Sequence, residues 1–107
     1  MSPSPGDMIP IEFVLWNEKA NALEVHARVM GRLVKNNPSA RFVVVDVLDC
    51  HTFMTTPTST VWSLRISPGT NMPNIRMSKR TGIEHGSCLD EGCFRINPDA
   101  LPGIQNP

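Results

Sequence analysis

The chain contains no tyrosine, no internal repeat and no apolar run near the roughly 20 residues that a membrane-spanning helix needs. Its first residues, Met1 to Asp7, have neither a basic flank nor an apolar core, so they do not read as a secretory signal. A repeat architecture and a membrane span are therefore excluded by the pattern. We expect a cytoplasmic protein.

Cysteine is scarce, with three residues in 107, and no pair has the C-x-x-C spacing of a thiol–disulfide oxidoreductase. An odd number of cysteines without an export signal predicts reduced thiols. The sequence also has no glycine-rich phosphate-binding loop, no paired catalytic carboxylates and no serine elbow. We therefore expect no cofactor.

Acidic residues are missing from the stretch between Cys50 and Ile83, although the formal charge of the whole chain is zero. This acid-free sector holds four basic residues, Arg65, Arg76, Lys79 and Arg80. A solvated hairpin is the preferred interpretation of the sector, and an anion or nucleic-acid site is the alternative.

The composition is that of a globular protein, with 40% hydrophobic and 19% charged residues in 107. A chain of this length fits one domain with one core. We predict a flexible arm over residues 1–8, a single domain over 9–96 and an irregular proline-rich tail over 97–107.

The first half of the domain predicts a βαβ unit. Residues 9–16 form an apolar strand, Asn17 caps a helix that runs to Lys35, and residues 41–48 form a second strand rich in valine. The helix is inferred from apolar residues at helical spacing, and Pro38 ends it. Two strands joined by a helix predict parallel pairing.

The second half predicts a β-hairpin, with strands at 60–66 and 74–77 joined by a cluster of turn formers. Residues 87–93 read as one short helix that Ser87 caps. The predicted fold class is therefore α/β, with a βαβ unit, a hairpin, a mixed four-stranded sheet and a short C-terminal helix.

This order, together with Thr56-Pro57-Thr58 ahead of the hairpin, resembles the thioredoxin-like fold over residues 9–80. The resemblance implies that Ile11–Trp16 is the first strand and that Pro57 is cis. The family's redox cysteines are missing, because Asn17 to Ala22 contains no cysteine. The chain is thus similar to the non-redox, KaiB-like branch, whose members bind protein partners.

Cys50 and His51 follow the second predicted strand, where open α/β sheets place their binding crevices. With Pro57 they form the first candidate site, for a small ligand or for a thiol-dependent enzyme. A second candidate binding group consists of Trp62, Arg65 and Arg76. The preferred interpretation of the tryptophan alone is a core residue.

His85, Cys88 and Cys93 supply ligand types that zinc prefers, although without the usual two tight pairs. A Cys88–Cys93 disulfide is a further alternative, and unliganded thiols packed as small apolar residues are the simplest one.

The sequence thus favours a small binding or protein-interaction module without catalytic activity. A protein partner or self-association is expected, through the sheet edge and the methionines of the hairpin, Met72 and Met77. Binding of a small ligand is a further alternative, binding of a nucleic acid is disfavoured, and no membrane contact is expected. A thiol-dependent enzyme and a zinc protein are the alternatives.

Overall fold

Two long strands, β1 (Met8–Asn17) and β2 (Ala22–Lys35), form an antiparallel hairpin at the start of the fold. The computed structural model describes residues 3–48, 72–84 and 92–105. In the connecting loop, the Asn17 side-chain oxygen accepts hydrogen bonds from the amides of Lys19 and Ala20, at 2.9 and 3.1 Å. Asn21 takes a left-handed conformation, φ 52°, which asparagine tolerates. Asn17 therefore caps a turn.

The helix predicted from Asn17 to Lys35 is wrong, because this segment is strand β2. Its odd-numbered residues from 23 to 33 face inwards, and its even-numbered residues are mostly polar and face outwards. Period-two alternation with valines suits a strand that is buried on one face. Pairing with a strand on each side satisfies its backbone, so tertiary context prevails over the helical spacing.

All pairings in the sheet are antiparallel. Strand β3 (Phe42–Leu48) pairs with β2, β4 (Met72–Ser78) pairs with β3, and β5 (Cys93–Ile96) pairs with β1. The five strands take the order β4-β3-β2-β1-β5. The predicted α/β fold is therefore wrong, since β2 replaces the crossover helix that parallel strands would need.

The outer strands β4 and β5 are joined at one end by a short segment, residues 82–84. Glu84 bridges Met77 of β4, and Ile83 bridges Arg95 of β5. The Ser78 amide donates to the Ile83 carbonyl at 2.9 Å, and the Ile96 amide donates to the Gly82 carbonyl at 2.8 Å. The sheet thus closes on itself at this end and its strand edges are paired there.

The core lies between the inward faces of the strands, with Phe13 and Phe94 in edge-to-face contact at 5.1 Å. A short helix, α1 (Leu101–Gln105), covers the end of this core with the buried Ile104. Among the described residues, no helix is long and apolar enough to cross a membrane. The elements form one small domain, with a radius of gyration of 13.4 Å.

Both terminal segments contact the sheet within their described parts. The Gly6 amide donates to the Leu33 carbonyl at 2.8 Å, and the Leu33 amide donates to the Asp7 carbonyl at 2.9 Å. The arm predicted over residues 1–8 therefore extends the β1–β2 pairing at Gly6 and Asp7. The tail that was predicted to be irregular contains α1.

One buried carboxylate ties three strands together on the outer face of the sheet. Glu12 is 3% exposed. It accepts a hydrogen bond from Arg95 Nε at 2.9 Å and from Asn97 Nδ2 at 3.3 Å, and it lies 3.6 Å from Arg28 Nε. The buried charge is thus paired and hydrogen-bonded, mainly by Arg95, whose side chain is 21% exposed, whereas that of Arg28 is 76% exposed.

Candidate functional site

A basic cleft opens where β3 begins and β4 ends. The register pairs Phe42 with Ser78, so the loop before β3 and the turn after β4 lie side by side. Between them is a cavity of about 520 Å³. We call it the basic cleft, and its lining residues are Ala40, Arg41, Phe42, Ser78, Lys79 and Arg80.

The turn after β4 is fixed by hydrogen bonds within itself. Ser78 Oγ accepts from the amides of Arg80 and Thr81, at 3.2 and 3.3 Å. The Gly82 amide donates to the Ser78 carbonyl at 2.7 Å, and φ of +75° at this position favours glycine. The amide of Lys79 donates to the Arg41 carbonyl at 2.9 Å. The backbone amides of the turn are therefore already used, and the side chains remain to hold a ligand.

Lys79 also joins the two walls of the cleft through its side chain. Its Nζ donates a 2.6 Å hydrogen bond to the carbonyl of Asn37, in the loop before β3. An ammonium group has three donors, so two are left for a ligand. The bond restrains the position of the ammonium group between the loop and the turn.

The cleft carries positive charge that its own lining does not neutralise. Arg41, Lys79 and Arg80 contribute three cations, and the described residues of the lining include no acid. Arg76 adds a fourth cation beside the cleft, because its guanidinium lies 4.5 Å from the centre of the Phe42 ring. A cavity with this lining attracts anions.

Helix α1 supports the turn from behind. Gln105 Nε2 donates to the Arg80 carbonyl at 2.9 Å. At Gly82, an added Cβ would lie 3.3 Å from Leu101 Cδ1, which shows how closely the helix packs against the turn. The cleft is thus built on the sheet and on the only helix in the described part of the chain.

The described lining offers groups that bind an anion. Its six described residues include no carboxylate, imidazole or thiol. Ser78 Oγ is engaged by two backbone amides, with no base among the lining residues to activate it. Arginine and lysine can hold an anion by charge and hydrogen bonds without a proton-transfer group.

Of the residues predicted for binding, the structure describes Arg76, which lies exposed on the outer face of β4 beside the cleft. The other predicted binding residues lie outside the described residues, and their roles stay predictions: Cys50, His51, Pro57, Trp62 and Arg65.

Cys93 begins β5, is 2% exposed and is disulfide-bonded. A disulfide sulfur is not the thiolate that zinc binds. Since the chain has three cysteines, the partner is one of the other two, both of which lie outside the described residues, as does His85. Among the described residues, no cluster of three or more histidine, cysteine or acidic side chains could hold a metal.

The sequence signal for the cleft was the acid-free sector, which contains Arg76, Lys79 and Arg80. Its preferred interpretation, a solvated hairpin, did not include a cavity. Arg41 and Phe42 were missed as site residues. They come from a segment 36 to 38 positions earlier, and only the antiparallel pairing of β3 with β4 places them there.

Comparisons of the chain with protein-family models, curated proteins and solved structures found no match. The function is therefore inferred from the geometry of the described residues.

Proposed function

We propose that the chain is a small non-catalytic binding module whose working surface is the basic cleft and whose ligand is anionic. The observation that carries this proposal is a set of three cations, Arg41, Lys79 and Arg80, around one cavity whose described lining includes no acid. Keeping like charges together costs free energy unless an opposite charge joins them. The fixed Lys79–Asn37 bond supports a role in holding a ligand, because it orders the charge before binding.

The test is calorimetric titration with tripolyphosphate, a compact polyanion, on two variants of equal net charge. R41A/R80A removes two exposed cations from the cleft and leaves the Lys79–Asn37 bond intact. K19A/R32A removes two exposed cations elsewhere. We expect the first variant to lose at least about tenfold in affinity, since charge-assisted hydrogen bonds contribute about 1.5–3 kcal/mol each. The control is expected to change by less than about twofold.

An equal loss in both variants would contradict the proposal, because it would show attraction to the net charge of the protein. Melting curves of both variants check that the fold is kept.

A second candidate function, protein interaction, rests on another surface. Met8 and Met30 are 47% and 43% exposed, on adjacent strands of the outer face. Pro10 pairs with Met30, and the exposed Arg32 lies beside Met8. Methionine and arginine are enriched at protein interfaces. Met77, expected to promote self-association, is fully buried and has no part in such a surface.

Separate measurements of protein binding and anion binding distinguish the two candidates. If the outer face is the interface, the neutral variant M8Q/M30Q weakens a protein complex and leaves tripolyphosphate binding unchanged. The expected cytoplasmic location stays a prediction, and the disulfide at Cys93 counts against it because disulfides persist mainly in oxidising compartments.

A further inference from the structure

We infer that the ligand of the basic cleft is a small organic phosphate, a phosphate monoester carried on a flat ring, about the size of a mononucleotide. The inference rests on the proposed function, since it names the ligand class of the same cleft. Four features of the cleft support it: the charge of the lining, the type of hydrogen-bond donor, the volume of the cavity and the aromatic ring of Phe42.

The charge of the lining favours a dianion. Three cations line one cavity, and no acid is among its described lining residues. A carboxylate carries a single negative charge, whereas a phosphate monoester carries about −1.5 to −2 near neutral pH. The phosphate therefore neutralises more of the charge of Arg41, Lys79 and Arg80, and it offers three acceptor oxygens for their donors.

The hydrogen-bond donors that remain for a ligand are those of basic side chains. The amides of the turn are occupied, so the cleft does not bind as a glycine-rich loop does. A guanidinium fork can pair two phosphate oxygens, and an ammonium adds a point charge. Arg41, from the loop before β3, and Arg80, from the turn after β4, supply the forks, and Lys79 supplies a point charge that its bond to Asn37 restrains. The affinity of such binding falls as the salt concentration rises, because salt screens exposed charges.

The volume indicates more than an inorganic ion. A cavity of about 520 Å³ is within the usual range for small-molecule sites. Phosphate alone would fill a small part of it. The remaining wall is the half-buried Phe42 ring, whose face carries the Arg76 guanidinium. A flat ring of the ligand can pack against the part of Phe42 that lines the cavity.

The surroundings disfavour an extended polyanion. The Lys79–Asn37 bond spans the two walls. Four residues beyond Phe42 in β3, the carboxylate of Asp46 accepts a hydrogen bond from the Asn74 amide at 2.8 Å. A chain of phosphates that continued along this strand would meet that negative charge.

The test is calorimetric titration of the full chain, in low salt, with inorganic phosphate, adenosine, adenosine monophosphate, a ten-residue deoxythymidine oligonucleotide and a polyglutamate peptide. We expect the monophosphate to bind about tenfold or more tightly than either phosphate or adenosine, because ring packing adds to charge pairing. F42L is expected to lower the affinity for adenosine monophosphate to that for inorganic phosphate measured on the same variant. R41A/R80A is expected to lose both.

The failure of this inference can be distinguished from the failure of the proposed function. Equal affinity for phosphate and the monophosphate would overturn the ligand class and leave the anion-binding module standing. The same holds if the oligonucleotide or the polyglutamate binds much more tightly than the monophosphate. If none of the anions binds, both proposals are wrong. A melting curve confirms that F42L is folded.

Discussion

The buried carboxylate of Glu12 should be one of the most sensitive positions in the fold. It is 3% exposed and joins β1 to β5 through Arg95, whose side chain is 21% exposed. Its other ion-pair partner, Arg28, has a side chain that is 76% exposed. E12Q keeps the shape of the side chain and removes the charge, so it leaves the partly buried guanidinium of Arg95 without its counter-ion.

The magnitude follows from these exposures. Breaking a fully buried ion pair costs about 3–5 kcal/mol. Arg95 is partly exposed and recovers some hydration, and the exposed pair with Arg28 contributes less than about 1 kcal/mol. We therefore expect E12Q to lower the free energy of unfolding by about 2 kcal/mol, and E12A by about 3 kcal/mol, because the alanine variant also leaves Asn97 Nδ2 unpaired.

Urea denaturation followed by circular dichroism measures both losses, with R28A as the matched control. R28A removes the exposed partner alone, so its loss should stay below about 1 kcal/mol. A loss below about 0.5 kcal/mol in E12Q, or a loss as large in R28A, would refute the reasoning that burial decides the contribution of this cluster.

Three further predictions concern packing, redox state and the support of the cleft. G31A should destabilise the fold by about 1–3 kcal/mol, because the new Cβ would meet Val45 Cγ1 and lie 2.8 Å from Ile11 Cγ1; G103A, with open space around it, should not be destabilising in the same melting assay. Titration of the unfolded, non-reduced protein with a thiol reagent should find one thiol per chain, since Cys93 is disulfide-bonded and the chain has three cysteines, and three thiols would contradict the bond. Q105A removes the hydrogen bond from α1 to the Arg80 carbonyl. It should weaken tripolyphosphate binding by about two- to fivefold and lower the melting temperature little. An unchanged affinity would show that α1 does not order the turn.

The sequence was informative about strands and misleading about β2. The apolar run at 9–16 falls within β1, the run at 41–48 includes all of β3, and the return strand at 74–77 falls within β4. The segment from Leu23 to Leu33 fits both a helical and a strand period. Its apolar residues stand at alternate positions, and such a set also includes pairs that are four residues apart. Helix and strand could have been separated by the strict alternation and the β-branched residues, which favour a strand.

The cleft was only partly predictable. An acid-free sector is visible along the chain, and it contains three of the four cations in or beside the cleft. The cavity arises from the pairing of Phe42 with Ser78 and from the Lys79–Asn37 bond. These contacts join residues 36 to 42 positions apart, and their register depends on the whole sheet. Local patterns do not contain that information.

The most direct test of the central claim, that the basic cleft binds anions, is an NMR titration of the labelled chain with adenosine monophosphate. We predict saturable shifts confined to the backbone amides of residues 36–42 and 76–82, with the largest at Arg41 and Lys79. Shifts spread over exposed basic residues elsewhere, such as Lys19 and Arg32, or shifts that do not saturate, would contradict the account.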